Sequence, residues 1–580
     1  MSIKRHHIAI GLLAGLSLTF GLTAFFDSPA QAQEKPSAGK AQAKSPAGSK
    51  VSELTPLQLE RKVVDQLDSM MEAKWKERDL KPSDKTTNHA WLRRAAIDLL
   101  GRSPTPKEFD SYMLMLGERD DAWRSKVVER MLESDEYARW WGLQWQKALI
   151  SNGGMNRNRG TPQLRNWLIE QVKANRPYDE WVREMIATTA EVNLQDAENA
   201  SPAGYFTSFE NDLNNLTGNL SRAFMGIEIQ CVQCHDDKLG EPWNQPDFRG
   251  MAAIFRGTRV SRKVNDRASD YYETYKITDN RVTSLNARQR ERLEKQAMED
   301  PNVADRLALL LADPKPLGED ELEVDNGLEL RSTFAEWLTS KDNPWFARTA
   351  VNRVWGRLMK RGIVDPVDDF NSINEPSNPE LLEFLSKDFQ DNGYDLQRLT
   401  RIIMSTRAYQ LSSETNKSNK DDLLYFSRGL TRQLDALELL GSLFAATNVS
   451  RTIENADERN ADRIKRAVAG QFTQTFEDDE GAEQETFTGT IPQALLMMNG
   501  DFVSTAASAL PGGTLFDILR KQKTIEARVE RMYIAALGRP PERSETKTMT
   551  RYIEGEKGVV SAYEDVFWAL LNSAEFLNNH

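Results

Sequence analysis

The chain has 580 residues, a formal charge of -12 at pH 7, 39% hydrophobic residues and 28% charged residues. Such an acidic balance excludes a nucleic-acid reader, whose affinity rests on neutralising phosphates, and argues against docking on anionic lipid. Two cysteines in the whole chain exclude a disulfide-stapled scaffold, so apolar burial must build the core, and the length suggests about two to four domains.

At the N-terminus, Lys4, Arg5, His6 and His7 precede an apolar stretch over residues 8–26, and Ala30-Gln31-Ala32 is an A-x-A cleavage site. The pattern predicts a signal peptide over residues 1–32 and export to the periplasm or another extracytoplasmic space. The stretch exceeds the usual ~7–15 apolar residues, so an uncleaved membrane anchor is the competing reading. No cysteine lies near the cleavage site, which argues against a lipid anchor. Residues 33–53, rich in Ala, Ser, Gly, Pro and Lys, read as a flexible tether.

Residues 54–259 read as a helical domain. Trp123, Val127, Val128, Met131 and Leu132 recur at helical spacing and give one apolar face. Thr105-Pro106-Lys107-Glu108 has the form of a capping box with Pro at the first helical position. A helix is predicted over 213–230, leading into Cys231, and a short one over 246–255. Residues 260–330 read as an irregular connector with a short hairpin around 271–282 and helices over 287–298 and 303–311. Residues 331–580 read as a second helical domain, interrupted by an acidic run at 477–485 that suits a solvated loop better than a calcium site. The expected fold is mainly α: two large multi-helical domains joined by a connector with at most a short β-hairpin.

One pattern repeats. Leu100-Gly101-Arg102-Ser103-Pro104 with Glu108 matches Leu537-Gly538-Arg539-Pro540-Pro541 with Glu545, and Ser134 with Glu136 matches Ser573 with Glu575. Two helix–turn–helix modules are expected, in each of which the Gly-Arg-x-Pro turn stops one helix at a left-handed cap and starts the next. The expected role is packing, not chemistry.

The densest chemical signal is Cys231-Val232-Gln233-Cys234-His235. With two cysteines and five histidines in the chain, chance gives this arrangement roughly once in 30,000. C-x-x-C-H is the attachment pattern of haem c: Cys231 and Cys234 would form the thioethers and His235 would ligate the iron. The same residues, with Asp236 or Asp237, suit a zinc or iron site. A dithiol–disulfide couple and a purely structural clip without a cofactor also remain open. Candidate distal haem ligands are His89, Met225, Met251, Met497 and Met498, although methionines at such positions usually fill core space.

Elsewhere the signals are weaker. Asp365, Asp368 and Asp369 can pair as acid and base, but carboxylates in such a loop more often cap or turn. Arg353 suits a loop anchor better than a sulfate site. Trp140, Trp141 and Trp145 read as core. The chain shows no Gly-rich phosphate loop, nucleophile elbow or H-E-x-x-H, and no enzyme class is assigned.

Longer motifs carry a resemblance. LRRAAIDLLGRSPTPKEF, YARWWGLQW and IQCVQCHDDKLGEPWNQPDFRGMAAIF resemble the planctomycete cytochrome C-like domain, a domain of unknown function (family 1549). FAEWLTSKDNPWFARTAVNRVWGRLMKRGIVDPVDDF, the stretch NPELLEFLSKDFQDNGYDLQRLTRIIMSTRAYQLSS, and IPQALLMMNGDFV resemble the planctomycete-specific domain (family 1553). The resemblance implies an exported, haem-bearing redox or electron-transfer component. Its alternative is a non-catalytic scaffold in which the motif is a disulfide or metal clip. The partner implied is a redox protein or an extracellular polysaccharide. The family motif typically continues His-Asp-His-Pro, whereas this chain carries Asp237 in place of the second histidine.

Overall fold

In a computed structural model, residues 56–116, 122–150, 160–196, 198–235, 242–267, 270–280, 286–319, 322, 329–476 and 491–580 are described. The signal segment 1–32, the tether 33–53, Asp236, Asp237 and the acidic run 477–485 lie outside the described residues. The chain is mainly α, with 62% of residues in helices and 5% in strands.

Helix ends follow local chemistry. Thr105 accepts from the Glu108 N–H while Glu108 returns to the Thr105 N–H, so the predicted capping box closes. The helix Asn88–Leu100 stops at Gly101, whose φ of 71° is the left-handed conformation that glycine adopts without strain. The helix Trp123–Leu132 buries Trp123, Val127, Val128, Met131 and Leu132, the expected face.

The repeat is real in three dimensions. Arg102 grips Glu108 through Nη1 and Nη2 (2.8 and 2.9 Å) and Glu136 through Nε (2.6 Å). Arg539 grips Glu545 at 2.8 and 2.9 Å and Glu575 at 2.6 Å through the same atoms. Each arginine thereby ties the turn after one helix to the starts of two others. The copies also meet: Arg93 of the first donates to the carbonyls of Ala536 and Phe576 in the second (3.2 and 2.8 Å).

Strand content is small but differs from expectation. β1 (Glu191–Asn193), β2 (Thr258–Arg267) and β3 (Asp270–Asp279) form an antiparallel sheet of order β1-β3-β2. The hairpin is therefore longer than predicted and begins at Thr258 rather than near Tyr271. In β2, Val260 and Val264 are the only apolar residues among Arg, Lys, Ser and Asn, so period-two alternation is faint. The two helices expected in the connector follow, as Ala287–Ala297 and Pro301–Leu311. β4 (Arg432–Gln433) pairs with β5 (Asn578–Asn579).

Burial runs across the sequence segments. One apolar cluster joins Val64 to Ile277 with Phe334, Trp355 and Tyr409. A second joins Ile97 to Leu440, Val529 and Phe567. Trp140, Trp141 and Trp145 are all core. Between the clusters sits a polar hub. The fully buried Asp98 carboxylate accepts from Lys360 Nζ (2.7 Å), Tyr409 OH (2.8 Å) and Asn579 Nδ2 (2.7 Å). Burial holds the Lys360 ammonium below its usual range, against the opposing pull of Asp98.

Candidate functional site

The cysteine motif is reached by a helix that stops earlier than predicted. Leu213–Met225 ends at Gly226, φ 66°, rather than continuing to residue 230. A β-carbon on Gly226 would collide with the Phe370 ring, so glycine is required there twice over. The chain then runs through buried Ile227 and Ile229 into a single 3-10 turn, Cys231–Gln233. Cys234 N–H closes that turn on the Cys231 carbonyl at 3.3 Å.

One side chain roots the turn: Val232 is fully buried in the main core. Cys231 and Cys234 flank it, both exposed and neither in a disulfide, and His235 is half-buried. On the far side of the motif, Gln245 Nε2 donates to the Cys234 carbonyl at 2.6 Å, while its Oε1 accepts from Arg249 at 3.0 Å. Gln245 opens the helix Gln245–Ile254, which carries a capping box between Asn244 and Asp247. The turn is thus fixed from below by an apolar plug and from one side by an oriented amide.

A charge cluster fixes the other side. Asp368 receives Arg222 Nη1 and, at 3.3 Å, Arg353 Nη2. Arg353 also donates to the Ala223 carbonyl at 2.6 Å, and Arg222 to the Ala148 carbonyl at 3.1 Å. Phe370 N–H donates to the Gly226 carbonyl at 2.6 Å. Burial pulls the Arg353 guanidinium below its usual range, with Asp368 acting in the opposite sense. Glu228 is exposed as a residue, yet burial of its carboxyl, then repulsion from Asp369 and Asp368, raise it above the ordinary carboxylate range.

These contacts assign the weaker candidates. Arg353 anchors a loop and a helix end, as its context suggested. Asp368 is held by two arginines, and Asp369 accepts from the amides of Asn371 and Asn374 at 2.8 and 2.9 Å. Both carboxylates are committed to structure, so the acid–base pair is not formed there. Asp365 pairs with Arg361 at 3.2 Å. His89 stacks on Phe109 with ring centroids 5.6 Å apart. Met225, Met251 and Met497 are buried core residues, and Met498 is half-exposed. Among the described residues no cluster of three or more His, Cys, Asp or Glu is arranged to hold a metal ion.

An open cavity of about 390 Å³ lies at the start of the helix Gln245–Ile254. Pro242, Trp243, Asn244, Asp247, Lys315 and Glu319 line it, and Gln245 lies within that lining segment. Trp243 meets Trp345 edge to face at 6.5 Å. This wall was not foreseen. The sequence signal for it was the N-x-x-D capping pattern from Asn244 to Asp247, immediately after a Pro-Trp pair.

Two family models match the chain. Residues 66–260 match PSCyt2, a protein of unknown function (DUF1549), and residues 330–553 match PSD1, a protein of unknown function (DUF1553). The chain belongs to the family that joins these two domains. In this DUF1549–DUF1553 protein the cysteine motif falls in the first matched segment, while Asp368 and Phe370, which brace its base, come from the second. No curated protein and no solved structure matches the chain. No helix among the described residues is long and apolar enough to cross a membrane.

Proposed function

We propose that this DUF1549–DUF1553 protein is an exported redox component carrying haem c, attached through Cys231 and Cys234 with His235 ligating the iron. The observation that supports this reading is the presentation of the three residues. Two unpaired thiols stand exposed on one turn, flanking a buried valine, and an imidazole follows directly. That donor set fits the group, because thioether formation needs both sulfurs accessible from one side and an adjacent ligand for iron. A bound haem would supply a one-electron couple.

The chain's own residues keep the turn in place. Val232 anchors it, Gln245 fixes the Cys234 carbonyl, and the Asp368–Arg222–Arg353 cluster holds the preceding helix end. Met225 and Met251 sit fully inside the core, so an exposed group on this turn does not recruit them without unpacking that core.

Expression with an intact export signal, in a host that matures cytochromes c, tests the proposal. The expected result is a red protein with a Soret band and haem staining that survives denaturing electrophoresis. A colourless, fully folded product refutes it. The motif would then be a disulfide or a zinc or iron clip on a scaffold, a distinction made by thiol titration and metal analysis.

A further inference from the structure

The cavity at the start of the helix Gln245–Ile254 takes no part in haem attachment, since no residue of the cysteine motif lines it. Its volume of about 390 Å³ lies in the range of small-ligand sites. Two segments, residues 242–247 and 315–319, build its walls, and the backbone of each is fixed. The Asn244–Asp247 capping box holds the first. Lys315 N–H donates to the Gly250 carbonyl at 3.0 Å and Glu319 N–H to the Pro316 carbonyl at 3.3 Å, which holds the second.

The lining combines one aromatic wall with several polar groups that have no partner. Trp243 is half-buried and meets Trp345 edge to face at 6.5 Å, and Trp345 meets Trp337 at 6.3 Å, so the indole is held in a packed row. Around it, Asp247 Oδ2 accepts from the Asn244 N–H at 3.0 Å, while Oδ1 takes no hydrogen bond among the described residues. Asn244 Oδ1 accepts from the Asp247 N–H at 3.4 Å, while Nδ2 donates to none of them. The Lys315 ammonium and the exposed Glu319 carboxylate form no ion pair among the described residues.

We propose that this cavity binds a neutral sugar ring of an oligosaccharide, with the ring's C–H face on the Trp243 indole and its hydroxyls on Asp247, Asn244, Lys315 and Glu319. A sugar ring has an apolar C–H face and a rim of hydroxyls that both donate and accept. One aromatic platform serves the face. Two carboxylates, an ammonium and an amide serve the rim, and the charged partners give the stronger hydrogen bonds. Charge selects within the class: Asp247 and Glu319 repel a sulfated ring, and Lys315 repels an amino sugar.

The experiment titrates the full-length exported protein calorimetrically with cellotetraose, maltotetraose, mannotetraose, xylotetraose and galactotetraose, and with a sulfated galactotetraose and a glucosamine tetramer. At least one neutral tetrasaccharide is expected to bind, and neither charged one more tightly. Trp243→Ala and Glu319→Ala are each expected to weaken that binding by about tenfold. Lys341→Ala, at an exposed lysine paired only with Asp391 at 3.9 Å, should leave it unchanged. Thermal melting establishes that each variant is folded. Glu319 is exposed, so its variant carries the test even where Trp243→Ala unfolds the wall. No binding of any neutral tetrasaccharide, tighter binding of the sulfated or amino sugar, or an affinity unchanged in Glu319→Ala overturns the proposal. Haem content enters none of these readouts, so a protein without haem overturns the attachment proposal and leaves this one standing.

Discussion

Replacing Asp98 by alanine tests whether the two matched segments fold as one body. Asp98 lies in the first segment, Lys360 and Tyr409 in the second, and Asn579 in β5 beyond both. All three side chains donate to the one buried carboxylate. Removing it leaves a Lys360 ammonium whose side chain is 4% exposed without its counter-charge. Breaking one side of a buried pair costs about 3–5 kcal/mol. The hydroxyl of Tyr409 and the amide of Asn579 lose their acceptor too, worth about 1–3 kcal/mol each in isolation. They share one site, so the sum falls short of simple addition. The expected loss is about 4–6 kcal/mol, against a typical total of about 5–15 kcal/mol. Urea denaturation followed by tryptophan emission reads it, because tryptophans lie on both sides of the hub. The midpoint should fall sharply while the transition stays single. Asp98→Leu with Lys360→Met, which replaces the pair by apolar groups, should recover at least half the loss. A cost below about 1 kcal/mol for Asp98→Ala, or a double variant no better than the single one, would refute the hub's role.

Three further outcomes follow from the same geometry. Burial alone would raise the Glu438 carboxyl, but Arg432 and Arg357 overcome it and bring it down to about 2; the folded value is depressed, so its stabilisation is present above the ordinary value of 4.5 and lost as pH falls toward 2. Glu438→Gln should remove about 3 kcal/mol at neutral pH and flatten the acid limb of the stability–pH curve, and an unaltered acid limb would contradict this. Gly226→Ala forces a left-handed alanine against Phe370; it should destabilise by about 2–4 kcal/mol, read as a lower urea midpoint, and an unchanged midpoint would contradict the tight fit at this glycine. In the repeat, Arg102→Ala should cost more than Arg539→Ala, each within about 1.5–3 kcal/mol, because the side chains are 14% and 25% exposed; equal melting temperatures would count against that ranking.

Local chemistry made much of the fold legible in sequence. The Thr105–Glu108 box, the Gly101 and Gly538 turns and the face of Trp123–Leu132 are each written within one or two helical turns, and the structure forms them as written. The repeat was visible because its arginine must meet two carboxylates at fixed offsets. What stayed hidden was long-range. Arg222 and Asp368 are 146 positions apart, and nothing in either neighbourhood announces the pairing that turns the GIVDPVDDF loop into a brace for the cysteine turn. The extent of the hairpin was hidden for a different reason: β2 carries too few apolar residues to show its period. The end of the helix before the motif was marked all along by Gly226, but the apolar residues Ile227 and Ile229 continued the pattern past it.

The central claim is the covalent state of two sulfurs. After export in a host that matures cytochromes c, a protease fragment containing Cys231 to His235 should carry the mass of one haem, with neither thiol alkylatable. Cys231→Ala or Cys234→Ala should leave at most one thioether and a labile adduct. A wild-type fragment of unmodified mass, with both cysteines free or joined as a disulfide, would contradict the account.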